Sequence, residues 1–362
     1  MIETWLHPTA AGLYCAAGDF FIDPHRPVDR AIVTHGHSDH ARPGHGAVLA
    51  TAETCRIVEV RHGSNATARL EAIALGERRR IGDCTVWLAP AGHILGSAQV
   101  VIEHKGCRAV VSGDYKRRLD PTCAPFEVVA CDLFVTEATF GLPVFRHDSD
   151  DVAIGRLLDS LDANPDRTHL VGAYGLGKCQ RMIALLRRAG YDRTIWLHGA
   201  MVELCALYGA LGIDLGPLAP ATAATGKLPG EIVIAPPSAL KDRWARRFAD
   251  PVTAFASGWM RVRGRARQNG VELPLVVSDH VDWPELVATI AETGAGEIWV
   301  THGREQALLR QLTLMGLTGR ALALVGRGGE DGESDGGADT AGDADSPPLD
   351  SALPGGGEVE TP

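Results

Sequence analysis

The sequence predicts an α/β protein in which a parallel α/β domain is inserted into a strand-rich domain. Two observations support this prediction. Residues 1–145 contain several short apolar runs separated by turn residues, and only one helical pattern. Residues 146–269 instead alternate helical patterns with short apolar strands, which is typical of a parallel α/β unit.

The elements follow from these patterns in chain order. In the first domain we expect strands at 13–15, 20–24 and 31–34, a helix at 53–62, and strands at 85–89, 99–104, 108–112 and 134–137. In the inserted domain we expect helices at 151–161, 178–188, 201–211 and 238–248, and strands at 169–171, 194–197, 232–235 and 252–256. The chain then returns to the first domain over 270–326, with strands at 275–280 and 298–303 around a helix at 283–293, and a final helix at 305–315 before a strand at 321–325.

The net charge of −10 comes from the C-terminal end of the chain. Ten of the 45 acidic residues lie after Arg327, and the 35 before them equal the 35 Lys and Arg residues. Because residues 327–362 are rich in Gly, Asp, Glu, Ser and Pro, we expect a disordered acidic tail. No apolar run approaches the roughly 20 residues of a membrane span, and the N-terminus lacks a signal-peptide pattern, so we expect a cytoplasmic protein without a membrane partner. The eight cysteines form no C-x-x-C pair and are expected to be reduced packing residues.

The polar string from Thr34 to His40 is the strongest functional signal. His35, His37, Asp39 and His40 lie within six residues, directly after the apolar run 31–33. Imidazole and carboxylate groups are good ligands for divalent ions such as zinc or manganese. The alternate spacing of His35 and His37 sends both side chains the same way, while Asp39 and His40 can turn toward a second position. The string therefore predicts two metal ions.

Five further polar residues stand at or near strand ends. They are His93 between Gly92 and Gly96, Asp114 in Ser112-Gly113-Asp114, Glu137 in Thr136-Glu137-Ala138, His280 in Ser278-Asp279-His280 and His302 in Thr301-His302-Gly303. Together with the histidine string they resemble, in order, the motifs of the metallo-β-lactamase fold in its nucleic-acid-processing branch, which carries a β-CASP insertion.

The resemblance covers residues 1–326 and implies a fold and a ligand set. The fold is an αββα sandwich with an inserted parallel α/β β-CASP domain, divided here as 1–145, 146–269 and 270–326. The first ion would be held by His35, His37, His93 and Asp114, and the second by Asp39, His40, Asp114 and His302. Asp23 would orient the metal-binding loop from behind the ligands, although an ordinary turn Asp before Pro24 explains it equally well.

The same resemblance implies hydrolysis of phosphodiester bonds. A water between two divalent cations ionises near neutral pH and can attack phosphorus, while the metals stabilise the negative charge that develops. Asp39, His280 and Glu137 are the expected catalytic residues, with His280 held by Glu137 and donating a proton to the leaving oxygen.

The substrate class follows from a narrower resemblance. Residues 257–264, the Ser278-Asp279-His280 string and the short insertion are similar to bacterial exonucleases associated with a DNA ligase and a helicase in DNA repair. We therefore expect DNA rather than RNA as the nucleic-acid partner, with a ligase and a helicase as protein partners. His302, however, matches the RNA-processing members. An RNA-processing ribonuclease, a small-molecule metallo-hydrolase and a non-catalytic nucleic-acid-binding module are the alternatives.

Three basic residues are candidates for contact with the substrate. Lys178 ends the string 172–178, which matches the G-x-x-x-x-G-K pattern of a nucleotide-binding loop. Position 179 is Cys, without the hydroxyl that would hold magnesium, so we expect a phosphate contact or a structural turn instead of ATP binding. Arg261 and Arg263 belong to the stretch 241–267, which has eight Lys and Arg residues and two Asp residues. That stretch predicts either a phosphate-contacting surface or a solvated helix face.

Overall fold

Two β-sheets packed face to face form the part of the molecule that carries the histidine string. The computed structural model describes residues 2–63, 66–268 and 270–322. The first sheet has six strands in the order β1 to β6: Leu6–Thr9, Gly12–Cys15, Phe20–Ile22, Arg30–Ile32, Ala47–Ala50 and Arg69–Ala72. The second sheet has seven strands: β7 (Arg79–Ile81), β8 (Cys84–Pro90), β9 (Ala98–His104), β10 (Cys107–Val111), β11 (Leu133–Ala138), β18 (Glu297–Gly303) and β19 (Thr318–Ala321).

Apolar side chains from both sheets fill the space between them. Leu13 and Ile32 of the first sheet belong to the same buried cluster as Val100, Leu133 and Trp299 of the second. Helix α1 (Ala52–His62) packs on the outer face of the first sheet, and helices α6 (Trp283–Thr293) and α7 (Glu305–Leu314) pack on the outer face of the second. The result is the predicted αββα sandwich.

The chain between β11 and α6 forms a third sheet whose strands are all parallel. Its order is β14-β13-β15-β12-β16-β17, with β12 at His169–Gly172, β13 at Ile195–Leu197, β14 at Leu218–Pro220, β15 at Ile232–Ala235, β16 at Val252–Ala256 and β17 at Leu273–Leu275. Helices α2 (Asp150–Ala163), α3 (Lys178–Arg188) and α4 (Gly199–Ala210) cover one face in a buried cluster that also includes Ile57 and Ile94 of the sandwich. A short helix, α5 (Arg263–Gln268), precedes β17.

The predicted fold class is confirmed, and two predicted elements are wrong. The stretch 238–248 is not one α-helix but two 3₁₀ turns, Pro237–Leu240 and Arg243–Arg247. The reason is that the side chain of Asp242 accepts the backbone N–H of Arg243 and so begins a new turn.

The second correction concerns the strand predicted at 275–280, because β17 ends at Leu275. The next carbonyl groups bind side chains instead of a neighbouring strand: the carbonyl of Val277 accepts from Lys178, that of Ser278 from Lys116, and that of Asp279 from His93. Strand β17 pairs with β16 in the parallel sheet and ends six residues beyond the predicted boundary at 269. The domain division remains a prediction.

Two expectations concern regions that the structure does not test or only partly covers. The predicted acidic tail, 327–362, and the end of the predicted last strand, 323–325, lie outside the described residues. None of the helices within the described ranges has both the length and the apolar composition needed to cross a membrane.

Candidate metal centre

Four strands of the second sheet end at the same edge and carry candidate ligands. Strands β10, β11 and β18 are neighbours and parallel, and β8 points the same way because both it and β10 are antiparallel to β9. His93 follows β8, Asp114 follows β10, Glu137 lies in β11 and His302 lies near the end of β18. Residues distant in the chain are therefore placed together by strand direction alone.

The first group of ligand atoms is formed by three imidazoles and one carboxylate. Nδ1 of His37 lies 3.1 Å from Nε2 of His35 and 3.1 Å from Nε2 of His93. Oδ2 of Asp114 is 3.5 Å from Nε2 of His35 and 3.9 Å from Nε2 of His93. All four residues are buried, and their ligand atoms lie within 4.8 Å of one another. This group is the predicted first ion site.

A second group shares Asp114 with the first. Nε2 of His40 lies 3.4 Å from Oδ2 of Asp114 and 3.5 Å from Oδ2 of Asp39, and Nε2 of His302 lies 3.4 Å from Oδ1 of Asp114. The structure thus brings all seven predicted ligands together in two groups joined by one carboxylate. Asp39 and His302 have the more exposed side chains, at 10% and 12%, so the centre opens on the side of the second group.

Each ligand imidazole uses its other nitrogen to donate a hydrogen bond away from the centre, which leaves a lone pair on the nitrogen that faces it. The acceptors are Oγ1 of Thr34 for His35 at 3.0 Å, the Leu176 carbonyl for His37 at 3.2 Å, Oδ2 of Asp23 for His40 at 2.8 Å, the Asp279 carbonyl for His93 at 2.9 Å and Oγ1 of Thr301 for His302 at 2.9 Å. Lone pairs that converge in this way repel each other unless a cation or a proton lies between them. Although burial opposes it, the carboxylates of Asp114, Asp39 and Asp23 raise the pKa of His40 well above its usual value.

Two further observations fit a bound cation. Nε2 of His40 and Oδ1 of Asp114 are buried, and neither has a hydrogen-bond partner among the described residues. Burial lowers the pKa of His35 well below its usual value and that of His93 to about 3, so both imidazoles are neutral at neutral pH. Although burial opposes its ionisation, the neighbouring histidines, His40 foremost, hold the pKa of the Asp114 carboxyl well below its usual range. The neutral imidazoles of His35 and His93 beside an ionised carboxylate suit a divalent metal.

Relatives of the chain were found among proteins of known name, although no protein-family model matches it. A protein named "Probable DNA ligase" from Opitutus terrae is 27% identical over 316 residues, which cover 86% of this chain and 30% of that protein. Cleavage and polyadenylation specificity factor subunit 3-I from Arabidopsis thaliana is 25% identical over 222 residues, covering 51% of this chain and 31% of that protein. Ribonuclease TTHA0252 from Thermus thermophilus is 30% identical over 151 residues, covering 34% of each chain.

These relatives are metallo-β-lactamase proteins of the β-CASP type, and the sandwich and the parallel sheet described above are consistent with that fold. This chain is similar in sequence and in fold to β-CASP proteins of the metallo-β-lactamase fold. It spans about a third of the length of each of the three relatives.

The predicted catalytic pair, Glu137 and His280, lies beside the candidate ligands. Oε2 of Glu137 accepts a hydrogen bond from Nδ1 of His280 at 2.8 Å and another from the Thr139 hydroxyl at 2.6 Å, while Oε1 accepts the backbone N–H of Tyr115 at 2.8 Å. The His280 ring centre lies 4.7 Å from that of His93. Glu137 is fully buried, so its carboxylate fixes the orientation of His280 at the border of the centre.

The three basic candidates lie in different surroundings. Lys178 is 1% exposed, and its ammonium lies 2.7 Å from Oδ2 of Asp279 and 3.1 Å from the Val277 carbonyl, so its charge is engaged inside the protein. Arg261 is exposed and lies 3.4 Å from Asp148. Arg263 is the first residue of α5, and its side chain lies outside the described part of the structure.

Three residues that support the centre were not predicted from the sequence. Thr34 and Asp279 accept hydrogen bonds from ligand histidines, and Arg181 is fully buried next to Asp279. Thr34 and Asp279 each directly precede a predicted histidine, and that adjacency was the available signal. Arg181 lies three residues after Lys178 in a helical pattern, where an Arg is ordinarily exposed, so the sequence held no sign of its position.

Proposed function

We propose that this chain is a divalent-metal-dependent nuclease that hydrolyses phosphodiester bonds. The observation that carries the proposal is that Asp114 is shared between two groups of candidate ligands, the first with His35, His37 and His93 and the second with Asp39, His40 and His302. The Glu137–His280 pair lies at their border, with its ligand atoms also within 4.8 Å of Asp114. Two-metal centres in proteins hold their ions about 3.5–4 Å apart and grip both sides of a phosphoryl displacement. Residues His35, His37, His93 and Asp114 would hold one ion, and Asp39, His40, Asp114 and His302 the other.

When bound, the two ions supply Lewis-acid activation of water and neutralise the charge that develops on the phosphate. The protein's own groups do the rest. Asp39, the more exposed carboxylate of the centre, faces the entry side and orients the incoming water. His280 gives a proton to the leaving oxygen from Nε2, since Glu137 occupies Nδ1. Thr139 and the Tyr115 amide keep the Glu137 carboxylate in place.

We propose DNA as the substrate and exonucleolytic digestion as the mode of action. The similarity to the protein named "Probable DNA ligase" covers 86% of this chain, whereas the similarities to the proteins named as ribonucleases or as a polyadenylation factor cover at most 57%. The matched segment is 30% of that ligase-named protein, which supports a nuclease acting next to a DNA ligase. The helicase partner and the role in DNA repair rest on the sequence resemblance alone.

RNA is the second candidate substrate. Two observations favour it: several relatives are named as ribonucleases, and His302, which resembles the RNA-processing members, faces Asp114 in the second ligand group. The exposed basic residues Arg243, Arg246 and Arg247 of the parallel-sheet region can contact the phosphates of either nucleic acid.

A direct assay separates these candidates. The purified protein, loaded with manganese or zinc, is incubated with single- and double-stranded DNA and with RNA of matched sequence, each labelled at one end. We expect stepwise shortening of DNA from one end, and no cleavage by the Asp114→Asn variant, which lacks the shared carboxylate charge. Cleavage of RNA alone would replace DNA by the second candidate, and cleavage of neither would contradict the nuclease proposal.

The role of His280 is tested by separating catalysis from metal binding. We expect His280→Ala to lose at least about 100-fold in kcat, the lower end of what general acid catalysis contributes, while two metal equivalents per chain are retained. His302→Ala is the matched control, because that side chain belongs to the ligand set and its loss should empty the second site. Equal loss of metal in both variants would assign His280 to coordination instead of proton transfer.

A further inference from the structure

The 172–178 turn, which resembles a nucleotide-binding loop, lies against the metal centre. The carbonyl of Leu176 accepts the Nε2–H of His37 at 3.2 Å. The next residue, Gly177, has a φ of +83°, and a Cβ there would lie 2.2 Å from Cγ2 of Ile94, which follows the ligand His93. Only glycine permits this approach. The turn therefore contacts His37 directly and packs against the residue next to His93.

Asp279 links the same turn to His93 and His280. Its carboxylate lies 2.7 Å from the ammonium of Lys178 and 3.2 Å from Nη1 of Arg181, both on helix α3. Its backbone carbonyl accepts the Nδ1–H of His93 at 2.9 Å, and the next residue in the chain is His280. Asp279 is 2% exposed, so these contacts form without competition from water.

Arg181 anchors this arrangement inside the protein. Its side chain is 0% exposed and contacts the carboxylates of Asp120, Asp150 and Asp279, and it also donates to the Ser278 carbonyl. Lys116, which is 3% exposed, donates to the same carbonyl at 2.6 Å. Two cations (Lys178 and Arg181) thus contact three carboxylates (Asp120, Asp150 and Asp279) in one buried cluster. Lys116, whose pKa burial lowers to about 7, joins the cluster through the Ser278 carbonyl. Such a cluster holds its members in fixed positions, because removing one partner leaves a buried charge uncompensated.

The amides at the start of helix α3, where a phosphate-binding loop would hold its ligand, are engaged by the protein. The N–H of Gly177 donates to the side-chain oxygen of Gln180 at 2.8 Å, that of Lys178 to the Leu176 carbonyl at 3.2 Å, and that of Cys179 to the Tyr174 carbonyl at 3.0 Å. In a phosphate-binding loop these N–H groups and the lysine point at the ligand. Here both the amides and the ammonium are occupied by the protein itself.

We propose that the 172–178 turn and helix α3 position the metal ligands, with Lys178 and Arg181 acting on His93 and His280 through Asp279, and with Leu176 acting on His37. Lys178, Arg181 and Asp279 are positioning residues, and Lys178 does not bind the substrate. The proposal rests on the metal centre described under Proposed function, but not on the identity of the nucleic acid.

The substitution Lys178→Met tests the proposal. It removes the ammonium and keeps an unbranched apolar stem, so Asp279 loses one of its two cations. Loss of groups that orient metal ligands typically costs 10–100-fold in metal affinity or activity. We expect metal affinity to fall by about that factor and kcat to fall with it, while KM for the nucleic acid changes by less than about twofold. Lys178→Arg keeps the cation and should restore most of the affinity.

Metal affinity is measured without any substrate, by titrating Co(II) into the metal-free protein and following its visible spectrum, with zinc competition for the dissociation constant. The matched control is Lys227→Met, the same substitution at an exposed lysine of the parallel-sheet region; it should behave as the wild type. A protein that binds two Co(II) ions but cleaves no nucleic acid would contradict the proposed function and leave the positioning proposal intact.

The opposite results are equally specific. If Lys178 contacts phosphate, Lys178→Met should raise KM and reduce the salt dependence of binding by about one unit of log-log slope, with the Co(II) spectrum unchanged. That result, or wild-type values throughout, would overturn the proposal. Should Lys178→Met fail to fold, the double variant Lys178→Met/Asp279→Asn replaces it, because it removes the positive and the negative charge together. The proposal then requires the double variant to lose as much metal affinity as Asp279→Asn alone. Wild-type metal affinity in the double variant would overturn the proposal.

Discussion

Asp23 shows how much of the centre depends on a single residue outside the ligand set. It is 2% exposed, and its two oxygens accept three hydrogen bonds: from the Thr34 amide at 2.8 Å, the Thr34 hydroxyl at 2.7 Å and Nδ1 of His40 at 2.8 Å. Because the Thr34 hydroxyl donates to Asp23, it must accept from His35. One carboxylate therefore sets the tautomers of two ligands, which agrees with the orienting role predicted for it.

The substitution Asp23→Asn is expected to weaken metal binding. Its amide group would place a donor where an acceptor is needed, so either His40 or Thr34 would lose its partner. We expect metal affinity to fall by about 10–100-fold, measured by competition with a chelator. The matched control is Asp19→Asn, because Asp19 also has a positive φ, +52° compared with +42° for Asp23. Asp19 is exposed, and among the hydrogen bonds described its side chain accepts one, from the Tyr14 hydroxyl. Equal losses in the two variants would count against the orienting role.

The sequence predicted the position of some residues in the candidate site but not of others. The seven candidate ligands could be selected from the sequence because clustered histidines and carboxylates are costly without a cation to compensate them, and the structure brings these side chains together. Lys178 was a candidate for phosphate contact on the basis of its motif, yet it lies buried against Asp279, 101 positions further along the chain. A contact between residues so far apart in the sequence is set by tertiary packing, and a local sequence pattern does not predict it.

Among the secondary-structure elements, regular segments were predicted better than irregular ones. Helix α3 begins and ends at the predicted residues, and so does α6, whose Asp282 cap binds the Glu285 amide while Glu285 binds back. The stretch 276–280 escaped prediction because its apolar, β-branched start resembles a strand, while its carbonyls are engaged by distant Lys, Arg and His side chains. Segments at functional sites often depart in this way from the secondary structure that their local sequence pattern predicts.

Strands β11 and β18 are expected to be intolerant of any side chain at Gly303. Its φ is +102°, and a Cβ there would lie 2.1 Å from the Ala138 carbonyl oxygen, so the two strands would have to separate where Glu137 and His302 lie. We expect Gly303→Ala to lower the free energy of unfolding by at least about 2 kcal/mol more than Gly316→Ala, and to lower nuclease activity. Gly316 has a φ of +73° with open space around it. Urea unfolding of both variants makes the comparison, and equal destabilisation would contradict the steric account.

At the scale of the whole molecule, the two packed regions meet around charged and aromatic groups. Burial lowers the pKa of His147 to about 3, helped by Lys116, Arg118, Lys178 and Arg261. Its ring packs against Phe140 at 4.6 Å between centres. Since the folded form has the lower pKa, the unfolded chain binds a proton first as the pH falls. The stability that neutral His147 contributes is complete above pH 6.5 and is lost progressively toward pH 3.

This titration predicts a pH-dependent difference between the wild type and His147→Gln. As the pH falls from 6.5 to 5, the loss of unfolding free energy from this residue should steepen toward about 1.4 kcal/mol per pH unit in the wild type, and the variant should lack that loss. Urea unfolding of both proteins at several pH values, at one fixed metal concentration, measures the difference. Parallel curves for the two proteins would show that His147 is not held neutral by the fold.

The central claim is that residues from four separate stretches of the chain hold two divalent ions through one shared carboxylate. Its most direct test is a crystal structure of the protein with manganese or zinc, with the ions located by anomalous scattering. We predict two peaks about 3.5–4 Å apart, one contacted by His35, His37 and His93, the other by Asp39, His40 and His302, with Asp114 between them. A single peak, or two peaks with His302 and Asp39 turned away from both, would contradict the account.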